Sequence, residues 1–183
     1  MDKEQGIVAS KAIGTENVRT VCLALGPYRN LTTLTASILF LHPNCQVLNH
    51  AGERIFGDSR LDFLRQYSDA IFEGFLRYAI CISQGGKRGA YGGSITLSHA
   101  FDEEHEMQQL FQAAGGKLLK EDVRSLFWKE SLLISSYIRE NAVDLSDLFS
   151  RNDKLRFLQP VRSPIDCAAC ESENRARCLF RHP

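Results

Sequence analysis

The sequence has no excess charge of either sign. Its 22 lysines and arginines are balanced by 22 aspartates and glutamates. That balance excludes a chain that grips nucleic acid by broad phosphate neutralisation, although a local basic position can still take a small anion. The Walker A pattern, Gly-x-x-x-x-Gly-Lys-[Ser/Thr], is missing. The first residues, MDKEQGIVAS, lack the basic start and apolar core of a secretory leader. The longest apolar stretches are interrupted by Pro27, Arg29 and several threonines, so none spans a bilayer. No internal repeat or low-complexity tract is present. These absences predict a cytoplasmic protein with no nucleic-acid partner and no membrane span.

What the sequence has is enough apolar material for a packed core. Hydrophobic residues make up 44% of 183 residues, which suits one domain. We read residues 1–17 as a polar tail and 18–183 as a single α/β domain. The six cysteines are compatible with reduced thiols. Cys22 and Cys81 lie in apolar runs and are expected to be buried. Cys167, Cys170 and Cys178 cluster near the end, where a Cys-x-x-Cys pair can hold zinc or a redox disulfide. A structural zinc site wants four ligands, with His182 the candidate for the last, and no metal is expected.

Strand and helix patterns alternate along the chain, which predicts a parallel sheet flanked by helices. Val21 to Leu25 reads as a buried strand, followed by a helix carrying Leu34, Ile38 and Leu41 and ending at His42-Pro43. Cys45 to Leu48 reads as a second strand. Leu61 to Ile82 reads as one long amphipathic helix that tolerates Gly74. Gln84 to Gly93 reads as a glycine-rich loop, Ser94 to His99 as a strand and Asp102 to Ala114 as a helix. Val123 to Trp128 is a further strand, and residues 132–149 are helical with a break near Asn141. Leu155 to Val161 is a last strand, weakened by Pro160, and a helix begins after Pro164.

One stretch organises the rest. Between the first strand and its helix lies Pro27-Tyr28-Arg29-Asn30-Leu31-Thr32-Thr33. A loop that feeds a helix N-terminus presents backbone N–H groups and the positive end of the helix dipole, a site suited to phosphate or sulfate. Arg29 and the two threonines add side-chain donors. The bland alternative is an ordinary turn in which Thr32 or Thr33 caps the helix.

Two distant pieces join this loop: Trp128-Lys129-Glu130-Ser131 at a strand end, and the run from Leu158 to Cys170, LQPVRSPIDCAAC. In this order and spacing the three resemble the sulfotransferases that use the donor PAPS (3′-phosphoadenosine 5′-phosphosulfate), closest to the branch of tyrosylprotein and bacterial enzymes. The resemblance runs from about Val18 to Cys170 and is loose in the middle. It implies a P-loop-like α/β fold and transfer of a sulfuryl group to a hydroxyl or amine of a small molecule or glycan. By the same likeness Arg29, Asn30, Leu31, Thr32, Thr33 and Leu34 would hold the 5′-phosphosulfate. Arg162 and Cys170 would hold the 3′-phosphate, and Lys129 would lie near the transferring group. His50, Glu53 and His99 are the candidates for the base. The chain departs from the family pattern at Leu31, where glycine is usual, and at Cys170, where serine is usual. Its C-terminal part is expected to be short. The alternatives are a nucleotide-binding or interaction domain without turnover and, further off, a small-molecule kinase. A homo-oligomer is compatible with all of these readings.

Overall fold

The structure, a computed structural model, describes residues 14–28, 30–86, 92–166, 168 and 169. Arg29, Lys87, Arg88, Cys167, Cys170, Cys178 and His182 lie outside the described residues, and with them the expected zinc or disulfide cluster.

Among the described residues five strands form one mostly parallel sheet: β1 (Thr20–Ala24), β2 (Cys45–Asn49), β3 (Gly93–Ser94), β4 (Ser125–Lys129) and β5 (Leu155–Leu158). Their spatial order is β3-β2-β4-β1-β5, with β3 antiparallel to β2 and the other four parallel. Among the described residues the sheet is flanked by helices α1 (Thr32–Leu41), α2 (Gly52–Ile55), α3 (Asp69–Ile82), α4 (Glu106–Ala113), α5 (Leu133–Glu140) and α6 (Leu145–Arg151).

Each central strand is buried on both sides, and its residues alternate between two cores as the pleat requires. Val21, Leu23, Leu48, Leu126 and Trp128 pack with Phe72 and Phe75 of α3, Ile134 of α5 and Leu148 of α6. Ala24, Cys45, Val47 and Phe127 face the other way, onto Ala36 and Phe40 of α1 and Met107 and Phe111 of α4. The chain therefore leaves β1 towards one face of the sheet and leaves its neighbour β4 towards the other. Two adjacent parallel strands whose connections part in this way open a crevice at their carboxyl ends, where ligands bind in open α/β sheets.

Several expected elements differ in extent. Residues 61–68 are turns and irregular backbone, and α3 begins only at Asp69. The Asp62 carboxylate accepts from the N–H groups of Gly57 and Arg65 and from the Tyr137 hydroxyl, which fixes an irregular loop although its apolar residues keep a helical spacing. Ser68 then caps α3, accepting from Ile71 N at 3.2 Å. The strand expected over Ser94 to His99 shrinks to Gly93–Ser94. The Ser94 hydroxyl accepts from Thr96 N and turns the chain into two short 3₁₀ segments, Ile95–Leu97 and His99–Phe101. Helix α4 starts at Glu106, capped by the His105 ring, rather than at Asp102. Strand β5 stops at Leu158, before Pro160. Cys81 is exposed, contrary to expectation, because it lies on the outer side of α3. Cys45 is buried and Cys22 partly so, and burial pushes both of these thiols up to about 11.

Candidate functional site

The strand register brings Ala24, Asn49, Lys129 and Leu158 to one edge. Four loops leave the sheet there. The loop after β1 is tied to the loop after β4 by Leu132 N donating to Gly26 O at 2.8 Å and by Gly26 N donating to Ser135 Oγ at 3.1 Å. It is tied to the loop after β5 by Leu25 N donating to Leu158 O at 2.8 Å and by Asn30 Nδ2 donating to Pro160 O. Asn30, expected to hold the donor, is thus a buried brace between two loops. Thr32 Oγ1 and Ser131 Oγ share a hydrogen bond of 3.1 Å that anchors the first turn of α1.

Helix α1 begins at Thr32 with Leu31 as its N-cap. Leu31 offers no side-chain acceptor, and the first turn carries no acidic residue. The positive end of the helix therefore faces the crevice without a compensating side chain from its own turn. Thr33 is half-buried and Leu34 exposed. Leu31 has φ of 59°, the left-handed conformation that glycine adopts without cost.

The charged centre sits at the ends of β2 and β4. Lys129 and Glu130 are each only 5% exposed. His50 links them: its Nδ1 lies 2.9 Å from Glu130 Oε1 and its Nε2 lies 3.2 Å from Lys129 Nζ. A lysine ammonium can only donate, so Nε2 accepts from it and the ring hydrogen sits on Nδ1, pointing at Glu130. The His50 backbone is pinned as well. Its N–H donates to Lys129 O at 2.8 Å, and its carbonyl accepts from Trp128 Nε1 at 2.7 Å. Glu130 takes two backbone donors, Ser131 N on Oε1 at 3.2 Å and Gly52 N on Oε2 at 3.3 Å. A buried carboxylate with this many donors is compensated. Burial holds the Lys129 ammonium below the usual lysine range, and the charge of Glu130 partly offsets this.

Close approach explains Gly52. A Cβ there would stand 2.5 Å from Leu133 Cδ2 and 3.2 Å from Glu130 Oε2. Backbone strain is concentrated at the same edge. Among the described residues five non-glycine positions have positive φ, and four of them are Leu31, His50, Ala51 and Leu132. Such conformations persist where the surroundings over-determine them, and they cluster at functional sites.

His50 and Lys129, both expected at the site, are brought together here. Glu53 is exposed on α2, one turn beyond His50. His99 is exposed in a 3₁₀ segment that follows β3, and β3 runs away from this edge. None of the hydrogen bonds described above joins His99 to the centre. Arg162 is half-buried in the loop after β5, two residues beyond the Asn30–Pro160 brace. Glu130 joins the centre through His50, and Asn49 stands beside it as the register partner of Lys129. Glu130 stood inside the strand-end run but is marked out only by its burial, and Asn49 gave no sequence signal. Among the described residues no group of histidine, cysteine or carboxylate side chains is arranged to hold a metal, and no helix is long and apolar enough to cross a membrane. Comparison with family models, with curated proteins and with solved structures found no match.

Proposed function

We propose that the chain is a sulfotransferase that moves a sulfuryl group from PAPS to a hydroxyl or amine. The observation that carries this reading is the meeting at one sheet edge of an uncapped helix N-terminus, a buried lysine and a carboxylate-held histidine. The strand order, with β1 between β4 and β5, fits the P-loop-like fold that the motif resemblance implies.

In this reading the first turn of α1, with Thr32, Thr33 and Arg29, binds the 5′-phosphosulfate. Arg162 binds the 3′-phosphate from the neighbouring loop. The acceptor oxygen or nitrogen attacks sulfur in line, and its bond to sulfur forms as the S–O bond to the 5′-phosphate breaks. The acceptor's proton passes to His50 Nε2, and the leaving phosphate oxygen takes up the released charge. Fixed N–H groups and Lys129 stabilise that charge without reorganising. Glu130 holds the imidazole in the tautomer that leaves Nε2 as the basic atom, which favours His50 over Glu53 and His99 as base.

Incubation with labelled PAPS and a panel of hydroxyl and amine acceptors tests the assignment. Label is expected in an acceptor with wild-type protein and not with His50→Ala. A folded sample that neither binds PAPS at millimolar concentration nor transfers label contradicts it. A second reading, donor binding without turnover, draws on one observation: His50 Nε2 already accepts from Lys129. Tight binding with no transfer to any acceptor would favour that reading.

A further inference from the structure

A base whose basic nitrogen already accepts a hydrogen bond has to be released before it can take a proton. Lys129 occupies His50 Nε2, so the question is where else the ammonium can go. Asn49 answers it. Asn49 and Lys129 are register partners in adjacent parallel strands. Cys45 and Val47 of β2 and Phe127 of β4 all face the α1 core, so by the two-residue period the side chains of Asn49 and Lys129 leave the sheet on that same face. Neighbouring strands lie only about 4.8 Å apart. Asn49 is 4% exposed, and its Oδ1 is buried with no hydrogen-bond partner. A buried amide oxygen without a donor is costly and calls for an explanation. Among the described residues, the charged donor that the register places beside it is the Lys129 ammonium, carried on a flexible stem with three rotatable N–H groups.

We propose that Asn49 Oδ1 is the second acceptor for the Lys129 ammonium, and that a bound donor draws the lysine from His50 Nε2 towards Asn49 and a sulfuryl oxygen, freeing the imidazole for the acceptor's proton. Asn49 is then a positioning residue acting through Lys129, and the base is exposed only when an anion is in place. The donor step rests on the sulfuryl-transfer reading, whereas the two positions of the lysine do not.

The ring nitrogen shifts of His50 in ¹⁵N-labelled protein test both parts. Without donor, Lys129→Met is expected to move Nε2 downfield, because its hydrogen bond is lost. Asn49→Asp, which pulls the ammonium away, is expected to move Nε2 the same way, and Asn49→Ala the opposite way. Both Asn49 effects are expected to vanish in the Lys129→Met background. Asn49 variants that shift Nε2 equally with and without Lys129, or not at all, overturn the two-position lysine. With PAPS added in the absence of acceptor, Nε2 of the wild type is expected to move downfield and that of Asn49→Ala to move less. PAPS that raises the melting temperature while Nε2 stays put overturns the release step. PAPS that does not bind at all overturns the sulfuryl reading and the release step with it, while the donor-free series still decides whether the lysine has two positions.

Discussion

Leu31 holds a left-handed conformation that costs a leucine about 1–2 kcal/mol. Its side chain is exposed, so packing returns little of that cost. Leu31→Gly removes the strain but frees the unfolded chain, and these effects oppose each other. The expected result is a change in stability of less than about 1 kcal/mol by urea unfolding, with tighter PAPS binding because the backbone can come closer to the phosphate. Weaker binding would show that the leucine side chain itself contacts the donor. Glu130 offers a sharper test. Glu130→Gln keeps its shape but loses the charge that fixes the His50 tautomer, and turnover is expected to fall about 100-fold or more with little change in donor affinity. Lys129 sets a pH dependence. Its folded pKa is depressed by burial, so below the ordinary lysine range the unfolded chain binds a proton more readily than the folded one. Stability is lost as pH falls from above the unfolded lysine pKa through the folded one, and it stays reduced at neutral pH. The melting temperature of wild type is therefore expected to rise relative to that of Lys129→Met as pH goes from 7 towards 10. A wild type that falls relative to the variant over this range would contradict this sign.

At the scale of elements, Gly74 shows where local rules stop. Alanine in the interior of a helix is worth about 1 kcal/mol over glycine. A Cβ at residue 74, however, would lie 2.7 Å from the Arg60 carbonyl oxygen, a backbone atom that cannot swing aside. Gly74→Ala is expected to lower the urea midpoint, and a raised midpoint would show that the 56–68 loop yields. The same loop explains why the helix pattern over Leu61 to Ile82 was only half right. Periodicity records which side chains are buried, and Leu61, Phe63 and Leu64 are indeed drawn into the core, Leu61 at its margin. Nothing in that spacing reveals that Asp62 spends its carboxylate on Gly57, Arg65 and Tyr137. Strands β1, β2, β4 and β5 were legible to within a few residues because each is a short apolar run ended by a turn residue. The 3₁₀ segments after β3 were not, because one serine hydroxyl decides them.

At the scale of the molecule, the site exists because the chain leaves neighbouring strands β1 and β4 towards opposite faces. That parting follows from strand order, which no local pattern records. The family resemblance could suggest that His50 and Lys129 belong together. It could not show that Glu130 holds the far side of the imidazole, or that Asn49 stands in register with the lysine. Fold class was therefore largely readable, and the centre only through the strand-end run and one histidine. The loop after β1 and the loop after β5 are braced to each other by Asn30 and Pro160, so a ligand gripped by one is within reach of the other. On that ground the two phosphates of a single nucleotide are the occupants proposed for this edge.

Calorimetric titration with adenosine 3′,5′-bisphosphate, which keeps both phosphates of the donor and lacks the sulfuryl group, tests that claim most directly. Wild type is expected to bind one nucleotide per chain, and Arg162→Ala to bind it at least 10-fold more weakly, about 1.4 kcal/mol. Absence of binding by a folded wild type, or equal affinity in the Arg162 variant, would contradict a doubly anchored nucleotide at this edge.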